Sequence, residues 1–131
     1  MLRYKIVNKK HKLCGSNPPK GLHHLMAKFW KKHELGSCDG AVLAYHKKEL
    51  IGFFRYYKKK KSTFLYAAGT HVLKKYRGDG VAKKLWIRAL KKTKPESVDV
   101  IVASRGGAKL VASLQKKFKG KIFFYVAKSF K

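Results

Sequence analysis

Arg77-Gly78-Asp79-Gly80-Val81-Ala82 sets two glycines around an acid and runs straight into a stretch with helical spacing. Glycine lets the backbone take left-handed dihedrals and approach a ligand closely, and the first turn of a following helix offers amide donors with no partner inside the helix. Together with the positive end of the helix dipole, those donors suit an anion, above all a phosphate. The spacing is not that of a Walker A loop, which needs four residues between its glycines and then Lys-Ser/Thr, nor that of the three-glycine dinucleotide fingerprint. A plain tight turn also uses Gly-x-Gly, so the surrounding elements must decide.

The remaining reactive residues form no compact motif. His11-x-x-Cys14 and His33-x-x-x-x-Cys38 match no familiar zinc spacing, and no metal is expected. Cys14 and Cys38 are the only cysteines, too few for a disulfide-built scaffold in 131 residues, so reduced thiols are expected. No run of about 18 uncharged apolar residues occurs, and Met1-Leu2-Arg3-Tyr4-Lys5 lacks the apolar block of a signal peptide. A soluble, cytoplasmic protein without a membrane partner is expected.

Charge is the outlying property: 33 Lys plus Arg stand against 6 Asp plus Glu, a formal net charge of +27. Such an excess opposes compaction and concentrates polyanions at salt-dependent rates, which makes nucleic acid, DNA or RNA, the leading partner. Lysine dominates, and its flexible point charge suits phosphate neutralisation better than bidentate reading of base edges. Adaptation for solubility would leave the same composition. The run Lys58-Lys59-Lys60-Lys61 is the densest block and the candidate nucleic-acid contact.

The elements that must position the loop follow from periodicity. Arg3 to Asn8 alternates like a strand, and Asn17-Pro18 can start a helix whose Leu22, Leu25, Met26, Phe29 and Trp30 share a face. Ala41 to His46 and Leu50 to Tyr57 form a hairpin about Lys47-Lys48, and Ser62 to Leu73 is the longest strand, with a bulge expected at Ala68-Gly69. After the loop, Val81, Ala82, Leu85, Trp86, Ala89 and Leu90 line one helical face, and Lys94-Pro95 closes the helix. Val98 to Ala103 reads as a buried strand, Ser104-Arg105-Gly106-Gly107 opens another helix, Gly120 stops it, and Ile122 to Val126 is a last strand. The order is β-α-β-β-β-α-β-α-β in a single domain spanning residues 1–131.

With this order around it, the loop resembles the acyl-CoA pyrophosphate loop of the GNAT superfamily of N-acetyltransferases, whose pattern Arg/Gln-x-x-Gly-x-Gly/Ala is met by Arg77, Gly80 and Ala82. The resemblance covers nearly the whole chain. It implies an α+β, three-layer fold: a mixed, mostly antiparallel sheet with splayed central strands and helices on both faces. It also implies an acetyl-CoA-dependent enzyme that moves acetyl directly to a primary amine without a covalent enzyme intermediate. Carried over, the main chain of Val72 and Leu73 holds pantetheine or the acetyl carbonyl, and the amides of Arg77, Gly78, Asp79, Gly80, Val81 and Ala82 hold pyrophosphate, with the Asp79 carboxylate turned to solvent.

The proton carriers are less well marked. Many relatives place an acidic Tyr in a Leu-Tyr-x-x-x-Gly-Phe pattern; aligning Phe118 with its Phe puts Ser113 at the Tyr and Lys117 at the Gly. Relatives often use a glutamate on the fourth strand as base, yet Phe64 to Leu73 has no carboxylate, which leaves His71, with Tyr66 and Glu49 as fallbacks and a water chain as the alternative. The charge makes the expected acceptor nucleic acid or something held on it: an aminoacyl-tRNA amine, an amino-bearing modified base, or a lysine of a nucleic-acid-binding protein. The competing reading is a non-catalytic basic module or a pseudoenzyme of the same fold, with the aromatic run Phe53-Phe54-Arg55-Tyr56-Tyr57 stacking on single strands.

Overall fold

Alternating and β-branched runs pair into one six-stranded sheet whose strands lie in chain order. The computed structural model describes residues 2–8 and 38–129. The strands are β1 (Leu2–Asn8), β2 (Gly40–His46), β3 (Glu49–Tyr57), β4 (Phe64–Val72), β5 (Ser97–Val102) and β6 (Phe123–Lys128). Two helices, α1 (Val81–Thr93) and α2 (Arg105–Lys117), follow β4 and β5. The helix expected from Pro18 to Trp30, and His11, Cys14 and His33, lie outside the described residues.

β1 to β4 pair antiparallel, while β4 with β5 and β5 with β6 pair parallel, each parallel step carried over by a helix. Phe54 stacks on Trp86 with ring centroids 4.3 Å apart, and the Trp86 indole N–H donates to Thr70 Oγ1 at 2.7 Å. An aromatic pair of this kind is worth about 0.5–1.5 kcal/mol beyond its area. It fixes α1 against β3 and β4. α2 covers β5 and β6 through Val111, Leu114 and Phe118, which are buried with Val98, Val100 and Phe124 in the same core.

The helix ends follow their local chemistry. Lys94 takes the left-handed cap conformation at the end of α1 with Pro95 behind it, Ser104 caps α2 by accepting from the Gly107 amide at 3.1 Å, and Gly120 turns the chain toward β6 at φ 80°. Cys38 is buried and disulfide-bonded, against the expectation of reduced thiols. Counting cysteines shows only that no scaffold depends on them; it does not register that a sulfur partner lies within bonding distance.

Gly40 opens β2 directly beneath Tyr56, where an added Cβ would sit 2.5 Å from the tyrosine hydroxyl oxygen. Tyr56 is itself buried and has nowhere to retreat. Gly40→Ala is therefore expected to destabilise the fold by about 1–3 kcal/mol, the usual range for overpacking, read as a lowered urea midpoint with an unchanged slope.

Candidate active site

β4 is bulged where the sequence breaks its β-branched run. Gly69 faces Arg55 and Ala67 faces Tyr56, so Ala68 has no partner across the ladder, and Gly69 sits at φ 151°. On the other side, β4 stays with β5 only from Phe64↔Ser97 to Tyr66↔Asp99. Beyond that point the strands part, as a splayed central pair requires. The gap is a cleft of about 380 Å³, walled by residues 66–70 and 100–104, with Trp86, Gly107 and Leu110 among its lining.

Which backbone groups look into the gap follows from the ladder. The Leu73 amide donates to the Ile51 carbonyl at 3.0 Å, and its own carbonyl accepts from Tyr76 at 2.9 Å. Antiparallel alternation then turns Val72 and Thr70 away from β3, toward the side β5 has left. Val72 thus faces the gap as the resemblance implies, but Leu73 has both main-chain groups engaged within the fold. Thr70 shares the gap-facing parity with Val72, which the sequence pattern cannot show because it does not record which parity of β4 is bonded to β3.

A second cavity of about 360 Å³ continues the cleft past Thr70, Val72, Arg77, Ala82 and Ser104, and a third of about 170 Å³ adds Gly78, Gly80, Val81 and Lys83. The three share lining residues and form one trough from the bulge to the glycine loop. Two helix N-termini meet there, since Ala82 of α1 and Gly106 and Gly107 of α2 line the same cavity.

The loop itself is set up by a short 3-10 turn, Lys74–Tyr76, whose Tyr76 hydroxyl bonds His46 Nδ1 at 2.8 Å. Arg77 Nε donates to the Val72 carbonyl at 2.8 Å, which ties the loop to the end of β4. Gly78 and Gly80 lie at φ 95° and 75°, in space where a Cβ would meet nothing within 4 Å. Their requirement for glycine is therefore conformational and not steric. Gly80 is the N-cap of α1, no side chain caps that helix, and its first turn holds no acid. The amides are left for an outside acceptor. Asp79 is exposed, and the ion pair found among the described residues is elsewhere, Lys59 to Asp39 at 3.2 Å.

The structure distributes the other sequence candidates unevenly. His71 lines the second cavity with its ring 6.2 Å from Phe53, and Tyr66 lines the cleft. Ser113 is half-buried on α2, while the trough is lined from that helix by Gly106, Gly107, Leu110 and Val111. Glu49 is exposed at the start of β3. Lys58 to Lys61 form the β3–β4 turn, roughly 26 Å along β4 from the glycine loop; the turn of Lys47 and Lys48 is the basic tip at the loop's end, because Gly52 pairs with Val72. The His46–Tyr76 and Trp86–Thr70 bonds were not legible in the sequence, since neither spacing repeats a known motif.

A trough of this kind, with an uncapped helix terminus at one end and a parted strand pair at the other, defines a transferase that takes its group from a long anionic carrier. The chain belongs to the GNAT acetyltransferase family, whose model matches residues 10–105. It is accordingly an acyltransferase, and acetyl-CoA is its acyl donor. No curated protein sequence matches it. Among solved structures it is similar to a GNAT family protein of Streptococcus pneumoniae (16% identity, TM-score 0.61, covering 91% of this chain and 92% of that one). A putative acetyltransferase of Deinococcus radiodurans matches at 18% identity and TM-score 0.58 over 86% of this chain and 80% of that one. A ribosomal-protein-alanine N-acetyltransferase of Brucella melitensis matches at 18% and 0.56 over 87% and 90%. These likenesses concern the fold, including the mixed sheet.

Gly80→Glu puts a carboxylate at the helix terminus, and close like charges repel by several kcal/mol at partial exposure. Acetyl-CoA affinity measured by calorimetry is expected to fall by on the order of a hundredfold or more. Gly80→Asn, which tolerates the left-handed conformation, should bind nearly as the parent does.

Proposed function

We propose that this acetyltransferase delivers its acetyl group to a primary amine borne by nucleic acid or by a molecule held on nucleic acid. The observation that carries the acceptor is the net charge of +27, far more than one pyrophosphate and one 3′-phosphate require. The donor side rests on the uncapped α1 terminus at the loop end of the trough. These residues fit an acyl-CoA: left-handed glycines bring amides to a phosphate, and a bulged strand leaves the main-chain groups of Thr70 and the amide of Val72 to serve a pantetheine arm as a neighbouring strand would, the Val72 carbonyl already accepting from Arg77.

Acetyl-CoA, when bound, supplies an acyl group activated as a thioester. The chain's own part is then to hold and to move protons. Amides of residues 78–82 take the phosphate oxygens, the Arg77 amide being held by the Lys74 carbonyl at 3.1 Å, and fixed N–H donors at the Ala68-Gly69 bulge favour negative charge on a carbonyl oxygen placed there. The acceptor nitrogen must lose a proton and the leaving sulfur must gain one. His71 and Tyr66 line the trough and carry exchangeable protons, so we assign His71 to the first task and Tyr66 to the second. Ser113, the position the family pattern suggests for the acid, lies beyond Leu110 on α2 and is the weaker candidate on geometry.

Release of thiol from acetyl-CoA, followed with a panel of amines that includes aminoacyl-tRNA and polyamine-free RNA, tests the reading. Tyr66→Phe is expected to lower kcat by about a hundredfold with acetyl-CoA affinity unchanged, the scale of a lost general acid. Ser113→Ala should turn over like the parent; the opposite pattern returns the acid to α2. A folded sample that binds no acetyl-CoA removes the proposal.

A further inference from the structure

The sheet carries a surface that meets the acetyl-CoA trough only at Tyr66 and Ile101. α1 and α2 both lie on the face that bears Phe54, Leu65 and Val98, and no described residue covers the opposite face of β4, β5 and β6. Residues directly opposite one another across strands project from the same side. The register therefore builds two rows there: Tyr57, Tyr66, Asp99 and Tyr125 in one, and Phe64, Ser97 and Phe123 in the next. Ile101 projects from that side two residues beyond Asp99.

These side chains are unusually open for their size. Phe123 is 61% exposed, Tyr125 60%, Ile101 55% and Phe64 49%. The rings already associate, Tyr57 with Tyr66 at 6.2 Å and Phe123 with Tyr125 at 4.7 Å between centroids. Single exposed apolar residues need no explanation, but a contiguous set of six on one face marks a binding surface.

We infer that this face binds single-stranded nucleic acid, its bases stacked on the aromatic rows. The proposal rests on the acceptor reading above and names the surface for it. Aromatic rings on an open sheet offer π-faces to unpaired bases whatever their sequence, and duplexes keep those faces hidden. Cations stand where the backbone would run: Lys58 to Lys61 lead directly into β4, and Lys119 and Lys121 lead into β6. Asp99, the one acid in the rows, repels phosphate from their centre and can accept from base amino groups, which turns the bases inward. A second copy of the chain is the poorer occupant, since it would set +27 against +27. Tyr66 and Ile101 belong to this face and also line the β4–β5 cleft, so a strand lying on the rows reaches the outer mouth of the trough.

Anisotropy with fluorescent twelve-nucleotide strands of uridylate or thymidylate, and with a duplex of equal length, tests this on the full chain. At least one single strand is expected to bind tenfold or more tighter than the duplex. Phe123→Ala and Tyr125→Ala should each weaken single-strand binding about tenfold and leave the salt slope intact, whereas Tyr125→Phe should retain affinity. Replacing Lys60 and Lys61 with Gln should instead reduce the slope by about one to two. Acetyl-CoA affinity, measured on the same variants, should not change, which separates failure here from failure of the transferase reading. Equal binding of strand and duplex, alanine variants that bind like the parent, or a parent dimer in sedimentation that Phe123→Ala dissolves would each overturn the inference.

Discussion

Three residue pairs of parallel ladder, Phe64–Ser97, Leu65–Val98 and Tyr66–Asp99, join the two halves of the sheet. Everything that makes this a transferase lies beyond them. Had the pairing continued, β5 would have consumed the main-chain groups of Thr70 and Val72 and no cleft would exist. The bulge at Ala68 and the φ of Gly69 bend β4 away, and Trp86 holds it there by hydrogen bonding Thr70 while stacking on Phe54. Burial of that cluster on one side is what lets the strand stand open on the other.

The electrostatics divide by function along the strands. At the glycine loop, charge is supplied by oriented backbone: two helix N-termini and left-handed glycines act over a few ångströms and discriminate by geometry. At the β3–β4 turn, charge is supplied by lysine side chains that act over a Debye length and discriminate little. One end is thus built to grip a defined small anion, and the other, on the acceptor proposed above, to gather a large one.

Much of this was readable from the residues alone. Every described strand and α-helix was expected to within two residues, because turn residues and apolar periodicity agreed along the chain, whereas the 3-10 turn Lys74–Tyr76 was not expected. The loop was legible since Gly78 and Gly80 are needed for dihedrals, which sequence records directly. What was not legible depended on parity and distance. The stacking run assigned to β3 fails because Phe53, Phe54 and Tyr56 are buried, leaving Tyr57 alone at the surface. The exposed aromatics come from three separate strands, and only the register brings them into rows. The same cause hid the engagement of Leu73 and the meeting of His46 with Tyr76.

Asp39 merits a last consideration. Its carboxylate accepts from the Lys58 amide at 3.0 Å and Lys59 Nζ at 3.2 Å, so one acid pins the most basic turn of the described chain. With so few acids elsewhere, the folded protein behaves as a polyelectrolyte whose missing counterions must come from solution. Any anion that prefers the folded surface then raises stability by mass action. Cargo and conformational stability become two readings of one equilibrium, and the protein is at its most robust when it is loaded.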